Sequence, residues 1–413
     1  MPSASRILAR CDRLAAHSEQ ADGLTRVFLS PQQREVDALV LQWMREAGMV
    51  ARLDAIGNCV GRYEGLEPGA PCLMLGSHLD TVRDAGRYDG MLGVVAAIEC
   101  VDALHRRGRR FPFAIEVVGF GDEEGVRFGV TLIGSRAIAG SFDRNWLDQR
   151  DSSDTSLHDA LRAFGLDPGA FGTVARRPEQ VLAYAELHIE QGPVLESLGL
   201  PVGVVTAING GNRFEVDLDG MAGHAGTVPM HLRRDALVAA AECVVAIEQV
   251  ARSMPPVVAT VGRIEAQPGA MNVIPGRVRF SLDIRAPGDE LRLQAVAAAR
   301  DAIDRIAQRR NVKASWRALW EAPTAPCATA MQEQIGAAIA AEGFDVHRLP
   351  SGAGHDGMAI VAIAPIGMLF VRCKGGISHS PAESVAPEDV DAGARALLRF
   401  IELFQPPVRE APR

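Results

Sequence analysis

Short runs of consecutive apolar residues alternate in the first half of the chain with longer stretches that have helical spacing. Apolar runs at 72–76, 113–121 and 182–189 predict buried strands, and the stretch 92–106 between the first two predicts a helix. Residues 5–47 also have helical spacing. Because parallel strands need a crossover helix between them, this order predicts an α/β fold with a mostly parallel sheet covered by helices.

A polar Asn-Gly-Gly-Asn segment at 209–212 separates this pattern from a different one and predicts a hinge. Beyond it, the pattern predicts strand, helix, two strands, helix and strand, at 214–218, 233–252, 257–264, 277–284, 290–309 and 312–319. This order is typical of a ferredoxin-like α+β unit. The sequence therefore predicts an α/β domain of residues 1–211 and 323–413 with an inserted domain of residues 212–322.

The composition limits the partners and the compartment. The 413 residues are 47% hydrophobic and 23% charged, as expected for an enzyme with buried cores. A formal net charge of −8, with the charges dispersed, argues against a nucleic-acid partner. The seven cysteines are widely spaced and form no CxxC pair, which indicates thiols in a reducing compartment. Since no signal-peptide core and no apolar run near the roughly 18 residues of a membrane span is present, we expect a cytoplasmic protein that binds no membrane.

Histidines and carboxylates lie where the predicted strands end. His78 follows the apolar run that stops at Gly76, and Asp80 lies two residues further on. Open α/β sheets bind ligands at the carboxyl ends of their strands, so His78 is a candidate metal ligand and Asp80 a candidate partner that orients its ring. The alternative is a surface histidine beside a capping aspartate. Asp89, before the next helix, is either a ligand or a helix cap.

Three carboxylates follow the next predicted strand, at Asp122, Glu123 and Glu124. Adjacent carboxylates repel one another unless a cation or protons neutralise them, so this segment is either part of a metal site or a solvated acidic loop. His188 ends the third strand and His379 follows a glycine-containing loop, and each alone could be a buried structural histidine. Taken together, nitrogen and oxygen donors at several strand ends predict a site for zinc, manganese or cobalt.

Several segments together resemble the amidohydrolase branch of the M20 metallopeptidase superfamily. They are GSHLDTV, DAGRYDGMLG, DEEGVRF, HIEQGPVLE, GMAGHAGTVPM, MNVIPGRVRFSLDIR, SGAGHDGM and GISHSPAE. The resemblance covers nearly the whole chain and is greatest to the members that act on allantoate. It implies a zinc-peptidase-like catalytic domain with an inserted ferredoxin-like domain that serves as lid and dimerisation domain.

The resemblance also implies two divalent metal ions per subunit, manganese or zinc, with cobalt and nickel as alternatives. The ligands implied for one ion are His78, Asp89 and His188, and those implied for the other are Asp89, Glu124 and His379. Asp89 would therefore bridge the two ions. In the family pattern Glu123 is the general base that takes a proton from water, and Asp80 orients His78.

Substrate contacts implied by the family come from both predicted domains, so closure of the lid would complete the site. They are Gln191, Arg213, His224, Asn272, Arg285 and Gly354. Arg285 ends a lid strand and offers the fixed bidentate cation that suits a substrate carboxylate, the alternative being a surface ion pair. In the family a histidine such as His224 reaches across a homodimer to stabilise the oxyanion, so the resemblance implies a dimer through the lid domain.

The implied reaction is metal-dependent hydrolysis of the ureido C–N bond of allantoate to ureidoglycine, ammonia and carbon dioxide, a step of purine catabolism. The alternatives are an N-carbamoyl-L-amino-acid hydrolase and a ureidoglycolate amidohydrolase, because the motifs are less specific for substrate than for the branch. A dipeptidase fits these motifs less well. A catalytically silent metal-binding dimeric scaffold also fits less well, because Glu123 is intact beside an intact ligand set.

Overall fold

The architecture comes from a computed structural model, which describes residues 1–407. The strands are β1 Val50–Leu53, β2 Cys59–Tyr63, β3 Cys72–His78, β4 Ala114–Phe120, β5 Val181–Ile189, β6 Val202–Ile208, β7 Gly210–Asp219, β8 Gly223–His224, β9 Val258–Thr260, β10 Ile264–Gln267, β11 Val273–Ile274, β12 Arg277–Ala286, β13 Lys313–Ala322, β14 Ala325–Pro326, β15 Arg348–Ser351 and β16 Ile366–Val371. The α-helices are α1 Ala4–Ala15, α2 Pro31–Glu46, α3 Met91–Arg106, α4 Ile133–Ile138, α5 Leu157–Ala163, α6 Val194–Leu198, α7 Ala236–Ser253, α8 Asp289–Arg310, α9 Thr329–Ala341, α10 Gly357–Ile360 and α11 Pro387–Leu403. Among the described residues, no helix is both long and apolar enough to cross a membrane.

The chain forms two compact units. The first comprises Met1–Thr206, Cys327–Leu349 and the residues from Ala353 onward, and the second comprises Ala207–Pro326 and Pro350–Gly352. Each unit has its own core of buried apolar side chains. The roles of catalytic domain and lid stay predictions at this point.

The sheet of the first unit has the strand order β1-β2-β4-β3-β5-β16-β6. The central strands β4, β3, β5 and β16 are parallel to one another, whereas β2 and β6 join them antiparallel on the two sides. Every residue of β3 and β4 is buried, as expected for strands covered on both faces. The predicted α/β class is confirmed, and its parallel part is these four central strands, whose carboxyl ends lie along one edge.

The second unit has a sheet of order β10-β12-β7-β13, with β9 also paired to β12. Buried residues alternate with partly exposed ones along β12, so one face of the sheet packs against α7 and α8 and the other face is polar. The order β7, α7, β9 with β10, β12, α8 and β13 is the predicted succession of strand, helix, two strands, helix and strand.

The N-terminal stretch 5–47 is two helices, not one. Helix α1 ends at Ala15 and α2 begins at Pro31, where the side chain of Ser30 caps the new helix by accepting the N–H of Gln33. The intervening segment is irregular but contributes Leu24 to the core. Apolar spacing alone does not show the break because the buried residues continue through it.

The segment 209–212 is not a loop, because β7 already begins at Gly210 and only Asn209 separates it from β6. Its role as a hinge stays a prediction. Asn212 is buried in the ladder, where its side-chain oxygen accepts a hydrogen bond from Arg292 of α8. The polar residue that suggested a loop, Asn212, is a buried strand residue whose amide is bound by Arg292 of α8, a helix far away in the sequence.

The predicted strand 257–264 is two short strands, β9 and β10, which both pair with β12. Thr260 is opposite Asp283 and Ile264 is opposite Phe280, so residues 261–263 face only two residues of β12. One extra residue in a ladder forms a bulge and ends regular pairing.

Candidate metal centre

Five predicted donors meet at the carboxyl edge of the four parallel strands. His78 is the last residue of β3, His188 is the last but one of β5, and Glu124 and His379 follow β4 and β16. Asp89 lies two residues before α3. The first two histidines and Asp89 are buried, Glu124 is partly buried, and the His379 side chain is 51% exposed.

Asp89 lies between two sets of donors. Its Oδ1 is 3.2 Å from Nε2 of His188 and 3.6 Å from Nε2 of His78. Its Oδ2 is 3.2 Å from Nε2 of His379, which is 3.6 Å from Oε1 of Glu124. Two atoms that bind one ion tetrahedrally at about 2.1 Å lie about 3.4 Å apart. The donor atoms therefore fit two ions that share Asp89.

All three histidines present Nε2 to this site, and a backbone oxygen fixes the ring of two of them. Nδ1 of His78 lies 3.0 Å from the backbone oxygen of Asp80, and Nδ1 of His188 lies 2.9 Å from that of Ile189. A carbonyl oxygen only accepts hydrogen bonds, so in the neutral rings Nδ1 carries the proton and Nε2 keeps its lone pair. Gly90 donates its N–H to Nε2 of His188 at 3.3 Å, which agrees with this tautomer. Nε2 is the atom that a metal would bind.

Asp80 orients His78 by a route other than the predicted one. Its carboxylate oxygen Oδ1 is 3.8 Å from Nδ1 of His78, too far for a hydrogen bond, and its backbone oxygen makes that contact instead. The carboxylate accepts the backbone N–H groups of Glu123 at 3.0 Å and Glu124 at 3.2 Å. Because bonds from N–H groups to a carboxylate are charge-assisted, Asp80 fixes the segment that carries both glutamates.

The electrostatics of this site favour a cation. Burial raises the pKa of Glu123 well above its ordinary value, against the effect of His78 and with a further rise from Glu124. Burial likewise raises the pKa of Glu124 to about 7, with His78 opposing and Asp89 adding to the rise. Burial also raises the pKa of Asp89, but hydrogen bonds from the protonated Nε2 atoms of three histidines, the form these rings take without an ion, outweigh this and hold that pKa well below the ordinary value. A divalent ion relieves such crowding of buried carboxylates.

The structure also brings together two further groups of possible ligand atoms: His78, Glu123 and Glu124, and Glu186, His188 and His355. Distances alone therefore allow Glu123 to be a ligand or a base, and its predicted role as base stays a prediction. Gly354, a predicted substrate contact, lies beside it: a β-carbon there would be 3.7 Å from Oε1 of Glu123.

Gln191 supports Asp89 in this structure. Its Nε2 donates to Oδ2 of Asp89 at 3.0 Å and to Oγ of Ser378 at 3.1 Å. Its Oε1 is buried and has no hydrogen-bond partner within residues 1–407. The sequence pointed to Gln191 as a substrate contact and missed this support. It also missed Ser378 and Glu383, although both lie in the GISHSPAE segment that contains His379.

In the second unit, two predicted substrate contacts share one carboxylate. Arg213 donates from Nε to Oδ2 of Asp283 at 2.9 Å. Arg285 donates from Nε and Nη2 to the two oxygens of the same residue at 2.9 and 3.1 Å, and from Nη1 to the backbone oxygen of Gly352 at 2.7 Å. The structure thus brings both guanidinium groups together and holds them in a defined orientation.

The other two predicted contacts of this unit are neighbours. β8 pairs with β11, and the N–H of Ala225 donates to the backbone oxygen of Asn272 at 2.9 Å. The N–H of Gly226 donates to Nδ1 of His224 at 3.0 Å. Since Nδ1 is the acceptor, the neutral ring of His224 carries its proton on Nε2. His224 and Asn272 are both exposed within this structure.

The mixed sheet and the donors at its parallel edge define a hydrolase of metallopeptidase type, and the chain belongs to the peptidase family M20/M25/M40, whose family model matches residues 74–403. This family is metal-dependent. The chain is similar to N-carbamoyl-L-amino acid amidohydrolase of Geobacillus stearothermophilus, with 43% identity over 383 residues that cover 93% of this chain and 94% of the relative. It is also similar to allantoate deiminase 1 of Glycine max, with 40% identity over an alignment of 426 positions that covers 96% of this chain and 88% of the relative.

A crystal structure of an amidase of the hydantoinase/carbamoylase family from Burkholderia multivorans has the same fold. The TM-score is 0.91 at 32% sequence identity, and the match covers 97% of each chain. These relatives place the chain in the amidohydrolase branch that the sequence motifs indicated. The chain is therefore an amidohydrolase, and its substrate is a small molecule.

Proposed function

We propose that this chain hydrolyses a ureido C–N bond of allantoate and yields ureidoglycine, ammonia and carbon dioxide. The observation that carries the proposal is the position of Asp89 between two sets of donors, with Glu123 beside them. We assign one ion to His78, Asp89 and His188, and the other to Asp89, Glu124 and His379, with manganese or zinc as the metal. Glu123 is then left as the base.

When bound, two divalent ions would make a water molecule more acidic and polarise the ureido carbonyl. Glu123 accepts the proton of the attacking water on its carboxylate, and the water oxygen forms a bond to the carbonyl carbon. Glu123 then gives this proton to the leaving nitrogen as its bond to that carbon breaks. The carbamic acid released separates into ammonia and carbon dioxide. Asp80 keeps Glu123 in place through the backbone N–H.

Arg285 suits the carboxylate of the substrate. A guanidinium has five N–H donors, and here Nε, Nη1 and Nη2 each give one to Asp283 or Gly352. One N–H on Nη1 and one on Nη2 remain, and these two nitrogens are the pair that can bind both oxygens of a carboxylate. Arg213 and Arg285 with Asp283 have a net charge of +1, which matches a substrate with one carboxylate.

His224 and Gln191 have the donor and acceptor that a ureido group needs. Nε2–H of His224 can donate to the oxyanion that forms at the carbonyl, because Nδ1 is already occupied by Gly226. Oε1 of Gln191 can accept a ureido N–H, because its Nε2 is held by Asp89 and Ser378. Oε1 of Gln191, which has no hydrogen-bond partner within residues 1–407, would then gain one only when the substrate binds.

A homodimer through the second unit and a cytoplasmic location complete the proposal. β13 is at the edge of its sheet and is largely exposed over ten residues, and Val238 and Val245 of α7 are exposed apolar side chains. All seven cysteines are buried free thiols, which suits a reducing compartment. Light scattering that finds only monomer under working conditions would remove the dimer from the proposal.

N-carbamoyl-L-amino acids are the second candidate substrate, favoured by the 43% identity to the Geobacillus stearothermophilus enzyme. Both substrates have the ureido group and the carboxylate, but the carbamoyl amino acids add a side chain that is often apolar. Two charged residues, Arg213 and Asp283, lie beside Arg285. An aromatic ring near them, that of Trp320, is covered by the Arg213 guanidinium at 4.9 Å. We therefore favour allantoate, whose groups are all polar.

The test is ammonia release by the purified, manganese-loaded protein on allantoate, ureidoglycolate and a panel of N-carbamoyl-L-amino acids, with a chelator-treated sample beside each. We expect chelator-sensitive turnover with the highest kcat/KM on allantoate. Higher kcat/KM on a carbamoyl amino acid would keep the chemistry and overturn the substrate. No ammonia release from any of these compounds, together with cleavage of a panel of dipeptides, would overturn the ureido reaction.

A further inference from the structure

A buried carboxylate outside the proposed ligand set joins two of the segments that bear ligands. Glu383 is 4% exposed, and three uncharged groups donate to it. Oε1 accepts the backbone N–H of Tyr88 at 2.8 Å and that of Asp89 at 3.2 Å. Oε2 accepts the hydroxyl of Ser378, the residue before His379, at 2.8 Å. One side chain therefore spans the loops of the bridging aspartate and of the second ion's histidine.

Ser378 extends this link to the carboxylate of Asp89. Its Oγ lies 3.2 Å from Oδ2 of Asp89 and accepts Nε2–H of Gln191 at 3.1 Å. A hydroxyl has a single proton, and the shorter contact of Ser378 is the one to Glu383. With that proton given to Glu383, Oδ2 of Asp89 is left for Gln191 and for His379.

His379 needs such support more than the other histidines do. Its backbone has φ 54°, in the left-handed region that non-glycine residues rarely adopt, and its side chain is half exposed. A residue in this region stays there only when its surroundings hold it. His78 and His188 are instead held by strands whose residues are almost all buried. The hydrogen bond between Ser378 and Glu383 therefore supports His379, the histidine that the fold holds least firmly.

The loop before Asp89 is fitted closely around the same carboxylate. A β-carbon at Gly86 would lie 2.1 Å from Cδ of Glu383, so the backbone passes directly over the side chain. The positions of Glu383 and of the Asp89 loop are consequently dependent on each other. Displacement of the carboxylate would move the bridging ligand as well as the His379 segment.

We propose that Glu383 is a positioning residue that sets the affinity of the second metal ion by holding Asp89 and His379 at a fixed separation. The inference rests on the proposed two-ion centre. Partners that orient metal ligands typically change metal affinity about 10- to 100-fold when they are removed. The side-chain hydrogen bonds of Glu383 go to segments that bear ligands, and within residues 1–407 Glu383 is in none of the groups of possible ligand atoms, so it acts through Asp89 and His379.

The test is calorimetric titration of Mn²⁺ into the chelator-stripped full-length protein, for the wild type and for Glu383→Ala. We expect the wild type to bind two ions per chain. In Glu383→Ala we expect one ion to bind with nearly unchanged affinity and the other about 10- to 100-fold more weakly, while excess Mn²⁺ restores most of kcat. Glu388→Ala is the matched control, since it removes the same charge from an exposed position of α11.

Two further variants keep the test decisive if Glu383→Ala does not fold. Ser378→Ala leaves both backbone bonds to Glu383, removes its link to the His379 loop and also removes the acceptor of Gln191. It should weaken the same ion. Glu383→Gln keeps an acceptor for Tyr88 and Asp89, so it should restore part of the lost affinity. Two ions bound with wild-type affinity in Ser378→Ala and in the folded Glu383 variants would overturn the inference. A wild type that binds fewer than two ions would overturn the proposed centre instead.

Discussion

Replacement of Arg285 tests how the substrate is held. Three of its five N–H donors are occupied by Asp283 and Gly352, and the two left over are proposed to bind the substrate carboxylate. Arg285→Ala removes both of these bonds. Arg285→Lys keeps the charge but has no planar fork, and so retains at most one of them.

The expected loss follows from the number and exposure of these bonds. A hydrogen bond to a charged group contributes about 1.5–3 kcal/mol, and the Arg285 side chain is 26% exposed, so the lower part of this range applies. Two such bonds give about 3–4 kcal/mol, or a fall in kcat/KM of about 150- to 1000-fold for Arg285→Ala. For Arg285→Lys we expect about 10-fold. Because the carboxylate is bound alike in ground and transition states, KM should carry most of the loss.

The assay is ammonia release at several concentrations of allantoate and of a neutral ureido compound without a carboxylate. Arg285→Ala should lower kcat/KM for allantoate and change that for the neutral compound little. Arg277→Ala is the control, since Arg277 is on the same strand and pairs with Asp217 at 2.8 Å. Equal losses on both compounds, or an unchanged KM for allantoate, would refute the assignment of Arg285 to the carboxylate.

The other predictions concern the base, the metal ligands and the stability of the fold. Glu123→Gln should keep two ions by elemental analysis and lose about 10²- to 10⁴-fold in kcat; loss of an ion would make Glu123 a ligand. Gly90→Ala should bind Mn²⁺ more weakly in titration, because a β-carbon there lies 2.5 Å from the His78 ring at φ 73°, and unchanged affinity would contradict this. Burial raises the pKa of Asp37 to about 7, although a hydrogen bond from Gln33 lowers it, so the folded state binds the extra proton. The free energy of unfolding should therefore fall by about 4 kcal/mol as the pH rises from about 4 to 7. Urea unfolding at pH 5 and pH 8 should show this fall in the wild type and not in Asp37→Asn. The same pH dependence in both proteins would contradict the role of Asp37.

Much of the site could be predicted because its signals are local. An apolar run that stops at a histidine or an acidic triplet marks the end of a buried strand, and His78, Glu124 and His188 all lie at such ends. Parallel strands bring their carboxyl ends to one edge, so the meeting of these residues follows from the strand order. The order of elements in the second unit was predictable for the same reason, since the period of apolar residues identifies each element.

The remaining features depend on partners far apart in the chain. Glu383 bonds to Tyr88 across 295 positions, and Asp283 is shared by Arg213 and Arg285. No spacing rule links such residues before the chain is folded. Asp80 is an example at short range. Its carboxylate accepts the backbone N–H groups of Glu123 and Glu124 after β4, and its backbone oxygen is therefore the group that contacts His78.

The most direct test of the account measures ammonia release from allantoate while Mn²⁺ is titrated back into the chelator-stripped protein, with bound metal counted in the same samples. The account predicts no turnover in the stripped protein and an increase that reaches its maximum at two ions per chain. Turnover without metal, or no ammonia release from allantoate with two ions bound per chain, would contradict the account.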